Sequence, residues 1–262
     1  MPDATNRIDI TLAQSPPGLW PFLVAGDPNL STTEELLRRL NDAPIRGLEL
    51  GIPYSDSISD GPVIQAAFNR ALHAGLHVAQ VFDMVSRVRP HFRHPLLAMV
   101  SASIVYRFGA DQFVSRAAQS GFDGLIIPDL SLEEAPALAS SIRSAGLRLA
   151  MLVAPTTPED RRQKIAATAS GFIYYVSLQG ITGQRSQLAD DLAARVRHIK
   201  SQTNLPVLVG FGISTPRQVN DVCKFANGAI VGSAIVQHMA QFSSRPDLVD
   251  STVRFINALS AV

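Results

Sequence analysis

Eight short apolar runs, each bounded by glycine or proline and separated from the next by a helical pattern, leave this chain few folds to choose from. They are Leu19–Ala25, Gly47–Gly51, Pro95–Ser101, Gly124–Pro128, Leu147–Ala154, Gly171–Ser177, Leu205–Gly210 and Gly228–Gly232. Runs of this length without a regular polar alternation suit parallel strands covered on both faces. The stretches between them carry helix signals. "STTEELLRRL" offers Ser31 as an N-cap with Glu34 three residues on, the spacing of a capping box. "GADQFVSRAAQSG" starts near Asp111 and stops at Gly121, and "SLEEAPALASSIRSAG" ends at Gly146. "TPEDRRQKIAATASG" has Pro158 near its first turn and Gly171 as its stop. Eight strands, each followed by a helix, predict an α/β fold of the (β/α)8 TIM-barrel type, with residues 1–262 forming one domain. A doubly wound open sheet is the alternative, but the first turn, "AGDPNLS", lacks its G-x-G-x-x-G fingerprint.

Composition narrows the chemistry. A chain of 262 residues that is 46% hydrophobic can bury a sizeable core, and a net charge of +1 with no basic stripe gives no footprint for nucleic acid or an anionic membrane. Cys223 is the single cysteine, so an internal disulfide and a thiolate metal cluster are excluded, and its neighbours Val222 and Phe225 point to packing. The N-terminus lacks the basic and apolar regions of a secretory signal. The longest apolar runs fall short of the ~18–20 residues that span a bilayer. The expected protein is soluble and cytoplasmic.

In a barrel, catalytic groups gather at the C-terminal ends of the strands, and the loops after strands seven and eight commonly bind phosphate. "GFGIS" (Gly210–Ser214) and "GSAIV" (Gly232–Val236) fall in those two places, with Gly232 and Ser233 opening a helix, and "QGITGQRS" (Gln179–Ser186) adds Gly183 after strand six. Glycines let backbone N–H groups approach phosphate oxygens, and a helix N-terminus favours the anion. They also simply make tight turns, and that reading stays open for each one taken alone.

Glu49 interrupts the apolar run "GLELG". On a strand it points away from Leu48 and Leu50, on the face of Gly47 and Gly51, where an unpaired buried carboxylate is costly. Asp60 follows in the next loop, so the pair could divide acid and base duties between a buried and a more exposed carboxyl. Asp60 could equally form an Asp-Gly turn, and Asp56 a surface loop. Asp27 and Asp129, at the ends of strands one and four, suit loop anchoring as well as chemistry. The six histidines fall on predicted helices or before strands, away from the catalytic face. The i,i+4 pair His73 and His77 has no nearby carboxylate, so no metal site is predicted.

The motifs "LELGIPYSDSISDGPVIQ", "GLIIPDL", "APTTPEDR", "GFIYYVS", "GITG", "GFGIS" and "GAIVGSAIV" occur in this order from about Asn6 to the last helix. Together they resemble the tryptophan synthase α-subunit family. The resemblance implies a carbon–carbon lyase of tryptophan biosynthesis that cleaves indole-3-glycerol phosphate to indole and glyceraldehyde 3-phosphate without a cofactor. It further implies that Glu49 and Asp60 are the two catalytic acids and that Thr182 is the lid threonine bonding Asp60. Gly183, Gly212, Gly232 and Ser233 match phosphate contacts, while Phe22 and Tyr174 match the indole-pocket aromatic and the tyrosine at the barrel mouth. Departures from the family pattern accompany the matches. Ser57 and Ser59 stand in "PFSDPLADGP" for Pro and Ala, Ser103 and Ile104 replace the Asn-Pro after strand three, Leu178 replaces an arginine, and Ser131 replaces the proline of "PDLP". Ser57, Ser103 and Ile104 fall in loops by which the family meets its β subunit, so pairing with that partner is left open. Two other readings accompany the lyase, a low-turnover binding or regulatory subunit for a β partner and another phosphate-sugar barrel enzyme. A free-standing, indole-releasing enzyme is a variant of the first.

Overall fold

The computed structural model describes residues 6–57, 60–177, 185–210 and 212–260. All eight apolar runs form strands: β1 Leu19–Val24, β2 Leu48–Gly51, β3 Leu96–Met99, β4 Gly124–Ile126, β5 Arg148–Val153, β6 Ile173–Val176, β7 Val207–Gly210 and β8 Gly228–Val231. Each pairs in parallel with its sequence neighbours and β1 pairs with β8, closing the barrel. Closure removes the exposed strand edges that an open sheet would leave.

The apolar runs conceal an alternation that the fold brings out. Leu48 and Leu50 of β2, Leu96 and Ala98 of β3 and Val207 and Val209 of β7 point outward into the layer shared with the helices. Phe22, Leu97, Met99, Tyr174, Leu208 and Ile230 belong to the separate cluster that fills the barrel. Glu49 pairs in register with Phe22 on one side and Leu97 on the other, so it projects into the barrel, as its offset from the two leucines requires.

Two glycines make this interior possible. A Cβ at residue 47 would lie 2.0 Å from Trp20 Cζ3, and one at residue 51 would lie 2.7 Å from Phe22 Cζ. The large rings of β1 therefore lie over two glycines, one just before β2 and one at its end, that carry no side chain. Beneath them the helix Arg7–Gln14, which the sequence pattern does not announce, covers the N-terminal end. Asn6 donates to the carbonyls of Asp123 and Gly146, and Arg148 pairs with Asp9 at 2.6 Å.

Two helix boundaries differ from expectation. The second helix, Leu30–Leu40, is capped by Asn29, whose extended backbone aims its side chain at the Thr32 N–H; Ser31 lies inside the helix and donates to Asn29. Glu34 is drawn away from any capping box by Arg38 and Arg87. Helix Glu159–Thr168 stops before Gly171 because Ala169 already turns extended. Helix Ala110–Ser120 does stop at Gly121, which takes the left-handed conformation at φ 100°. Cys223 packs against the outer core, where burial pushes its thiol up to about 11. No described helix is long and apolar enough to cross a membrane.

Candidate active site

The C-terminal mouth of the barrel holds a cavity of about 250 Å³. Of the residues singled out in the sequence, Glu49, Asp60, Phe22, Tyr174, Gly212, Gly232 and Ser233 line it together, although they come from five separate stretches of chain. Thr182 and Gly183 lie outside the described residues, as do Leu178 and Ser59. Among the described residues no group of three or more His, Cys, Asp or Glu side chains could hold a metal ion.

Glu49 is 2% exposed, and among the described residues neither carboxylate oxygen has a hydrogen-bond partner. Burial, with a smaller contribution from the nearby Asp60 charge, pushes its carboxyl up to about 8. Such a group holds its proton at neutral pH and can give it up inside the cavity, as a general acid must.

Asp60 is held differently. Its Oδ2 accepts a hydrogen bond from the Tyr54 hydroxyl at 3.0 Å. Burial raises its carboxyl above the ordinary value, the Tyr54 bond opposes that rise, and the charge of Asp129 adds to it. The loop backbone is pinned by Gln65, whose Nε2 donates to the carbonyls of Ser57 at 3.0 Å and Asp60 at 2.7 Å. Tyr54 and Gln65 are functional neighbours that the sequence reading did not single out. Their signal was spacing alone, six residues before and five after the carboxylate.

Tyr174 closes the far side. A Cβ at residue 210 would lie 2.5 Å from its ring, so Gly210 is the space in which the ring sits. Burial first, then the charges of Glu49 and Asp60, raise its phenol well above the ordinary value, and it remains a neutral hydroxyl.

The wall formed by the loops after β7 and β8 has features that favour an anion. Gly212 takes φ 73° in the loop after β7, where an L side chain is strained, and Ile213 and Ser214 follow it along the cavity. Helix Ser233–Phe242 opens at Gly232 without a side-chain cap, and Ser233, Ala234 and Gln237 of its first turns face the same space. Uncapped N–H groups at a helix start favour negative charge there.

Asp27 and Asp129 resolve as anchors. Asp27 receives two hydrogen bonds from Arg70, both 2.8 Å, and Asp129 accepts from the Ala102 N–H and the Ser101 hydroxyl. The histidines stay away from the cavity; His238, for example, stacks between Phe242 and Phe255. Of the three loop residues tied to partner binding, Ser57 is buried and Ile104 packs partly buried against the core, while Ser103 is exposed.

A family model described as "Tryptophan synthase alpha chain" matches residues 10–258. The tryptophan synthase alpha chain of Citrifermentans bemidjiense is 42% identical over 238 residues, covering 91% of this chain and 89% of that one. The crystal structure of the alpha chain from Legionella pneumophila superposes with a TM-score of 0.88 at 35% identity, covering 98% of this chain and 97% of the other. A chain of the tryptophan synthase complex from Pyrococcus furiosus gives 0.85 at 32% identity, covering 94% and 98%.

Proposed function

The chain belongs to the tryptophan synthase alpha chain family, and from that premise we propose which of its side chains perform the reaction. It is a carbon–carbon lyase of tryptophan biosynthesis that splits indole-3-glycerol phosphate into indole and glyceraldehyde 3-phosphate. Breaking the bond between indole C3 and the glycerol carbon needs an electron sink. A proton placed on C3 makes the ring iminium-like, and it then accepts the bonding electrons. Glu49 supplies that proton. Its carboxylate then takes the proton of the glycerol hydroxyl as the aldehyde forms, so Glu49 ends protonated as it began. Asp60 accepts a hydrogen bond from the indole N–H, where positive charge develops. Phe22 and Tyr174 wall the indole, and Gly212, Gly232 and Ser233 receive the phosphate. Thr182 and Gly183 belong to the same set on the family pattern.

The single observation behind this assignment is the buried Glu49 carboxyl on the cavity wall, without a hydrogen-bond partner among the described residues. A purely regulatory subunit has no use for it, whereas an acid catalyst justifies the stability that its burial costs. The test is indole release from indole-3-glycerol phosphate by the wild-type chain and by Glu49→Gln. A fall of ~10²–10⁴ in rate with unchanged folding is expected; undiminished turnover in the variant would reject Glu49 as the acid.

The family's α chain pairs with a β subunit, and the pairing extends to this chain. Two of the three departures, Ser57 and Ile104, lie against the protein's own interior and alter loop packing more than outer surface. A cytoplasmic location and a single domain over residues 1–262 complete the proposal.

A further inference from the structure

We propose that Tyr54 is the positioning residue that aims the Asp60 carboxylate at the indole N–H. The proposal rests on the reading of Asp60 given above and deepens it. Tyr54 lies just beyond the end of β2 and is 8% exposed, with its ring tilted 51° against Phe68 at 5.2 Å between centroids. Phe68 is fully buried on helix Pro62–His73, so the phenol is held by the core rather than by the loop it serves. From that fixed ring the hydroxyl donates to Asp60 Oδ2 at 3.0 Å.

The backbone is secured independently. Gln65, on the same helix as Phe68, donates to the Ser57 and Asp60 carbonyls, and the Asp60 N–H donates to Ser57 at 3.0 Å. The aspartate is thus fixed at its main chain by Gln65 and at its carboxylate by Tyr54. An ionised carboxylate has about four acceptor positions, so one phenol leaves room for a substrate N–H.

The bond also matches the electrostatics of the mouth. The titratable groups around Asp60 are Glu49 from β2, Asp129 beyond β4 and Tyr174 from β6, and no Lys, Arg or His is among the described residues lining the cavity. Negative charge from Asp129 and burial both work against the Asp60 anion, whereas a donated phenol hydrogen favours it. Tyr54 therefore orients Asp60 and favours its anion, where no Lys, Arg or His is among the described lining residues.

The test is the pH profile of kcat/KM for indole release by wild type, Tyr54→Phe and Asp60→Asn, with the β subunit present in every arm. Phenylalanine keeps the ring against Phe68, so the thermal midpoint should stay within about 4 °C. Loss of one hydrogen bond to a charged group should lower kcat/KM about 3–10-fold and move the acidic limb up by about 0.5–1 pH unit. An unmoved acidic limb in Tyr54→Phe, with Asp60→Asn inactive, would reduce Tyr54 to packing while leaving the Asp60 reading intact. Asp60→Asn turning over within twofold of wild type would remove the Asp60 reading and this proposal with it.

Discussion

Glu49 of β2 stands beside Phe22 of β1 in the parallel ladder, and its carboxyl on the cavity wall has an aromatic ring for a neighbour where a buried acid would ordinarily need a donor. Parallel register fixes this pairing, because shifting β2 by one residue would turn Glu49 into the helix layer and a leucine into the cavity. The protonated state of Glu49 is therefore a consequence of strand geometry, before any substrate is considered.

The pH dependence of turnover should follow from it. Glu49 acts as the acid only while protonated, and its carboxyl lies at about 8. The rate should hold through neutrality and decline above about pH 8, and in Glu49→Gln that basic limb should vanish along with the activity. Turnover measured between pH 6 and 9.5 decides this. A rate that climbs steadily past pH 9 would show that the ionised form is the working one.

Stability should fall with rising pH as well, but over a lower window. Between the ordinary carboxyl value, 4.5, and about 8, folded Glu49 holds a proton that the unfolded chain has lost. Folding stability at this site therefore falls as pH rises through that window and levels off above it, a loss on the order of a few kcal/mol. Glu49→Gln should gain thermal stability over wild type, and gain more at pH 9 than at pH 5. An equal difference at both pH values would show that Glu49 does not titrate in that window.

Most of this arrangement was legible in the residues. Eight bounded apolar runs sufficed for the barrel, because a strand covered on both faces needs no polar positions, and Glu49 was conspicuous for breaking that rule. Asp27 and Asp129 were not decidable from sequence, since whether such an aspartate anchors or reacts depends on partners such as Arg70 and the Ala102 N–H, distant along the chain. Tyr54 was hidden because an aromatic residue after a strand reads as core, and its hydroxyl acquires meaning only when the loop folds back. Asn29 took the cap from Ser31 because backbone angle decides between two adjacent polar residues. The covering helix at Arg7–Gln14 was missed because its eight residues carry a single fully buried side chain, Ile8.

Gly47 should prove structurally demanding even though it does not line the cavity. A Cβ there meets Trp20 Cζ3 at 2.0 Å, and Trp20 is itself 1% exposed, with no free space to retreat into. Gly47→Ala should cost about 1–3 kcal/mol or more through overpacking, lowering the thermal midpoint by roughly 3–10 °C in a chain of this size. Shrinking the ring should relieve it, so the double variant Trp20→Phe, Gly47→Ala should be more stable than the sum of the two single effects allows. Strict additivity would show that the two side chains do not compete for the same space.

Ser233 offers a way to separate binding from chemistry. It opens the uncapped helix Ser233–Phe242 beside Gly232, and with Gly212 it lines the cavity that Glu49 and Asp60 also line. Ser233→Asp would place a carboxylate where a helix start welcomes negative charge, so the fold should tolerate the change or gain slightly from it. The same carboxylate would repel a phosphate and occupy the N–H groups meant for it. The expected result is a rise of about tenfold or more in KM for indole-3-glycerol phosphate, the effect of roughly 1.4 kcal/mol of lost binding, with kcat falling by less. Ser233→Ala should give only a few-fold rise, because the backbone donors remain. The decisive comparison is inhibition by glycerol phosphate, which lacks the indole: Ser233→Asp should lose it, whereas inhibition by indole should be unaffected. If Ser233→Asp binds glycerol phosphate as wild type does, this wall does not receive the phosphate, and the substrate must lie the other way round in the cavity.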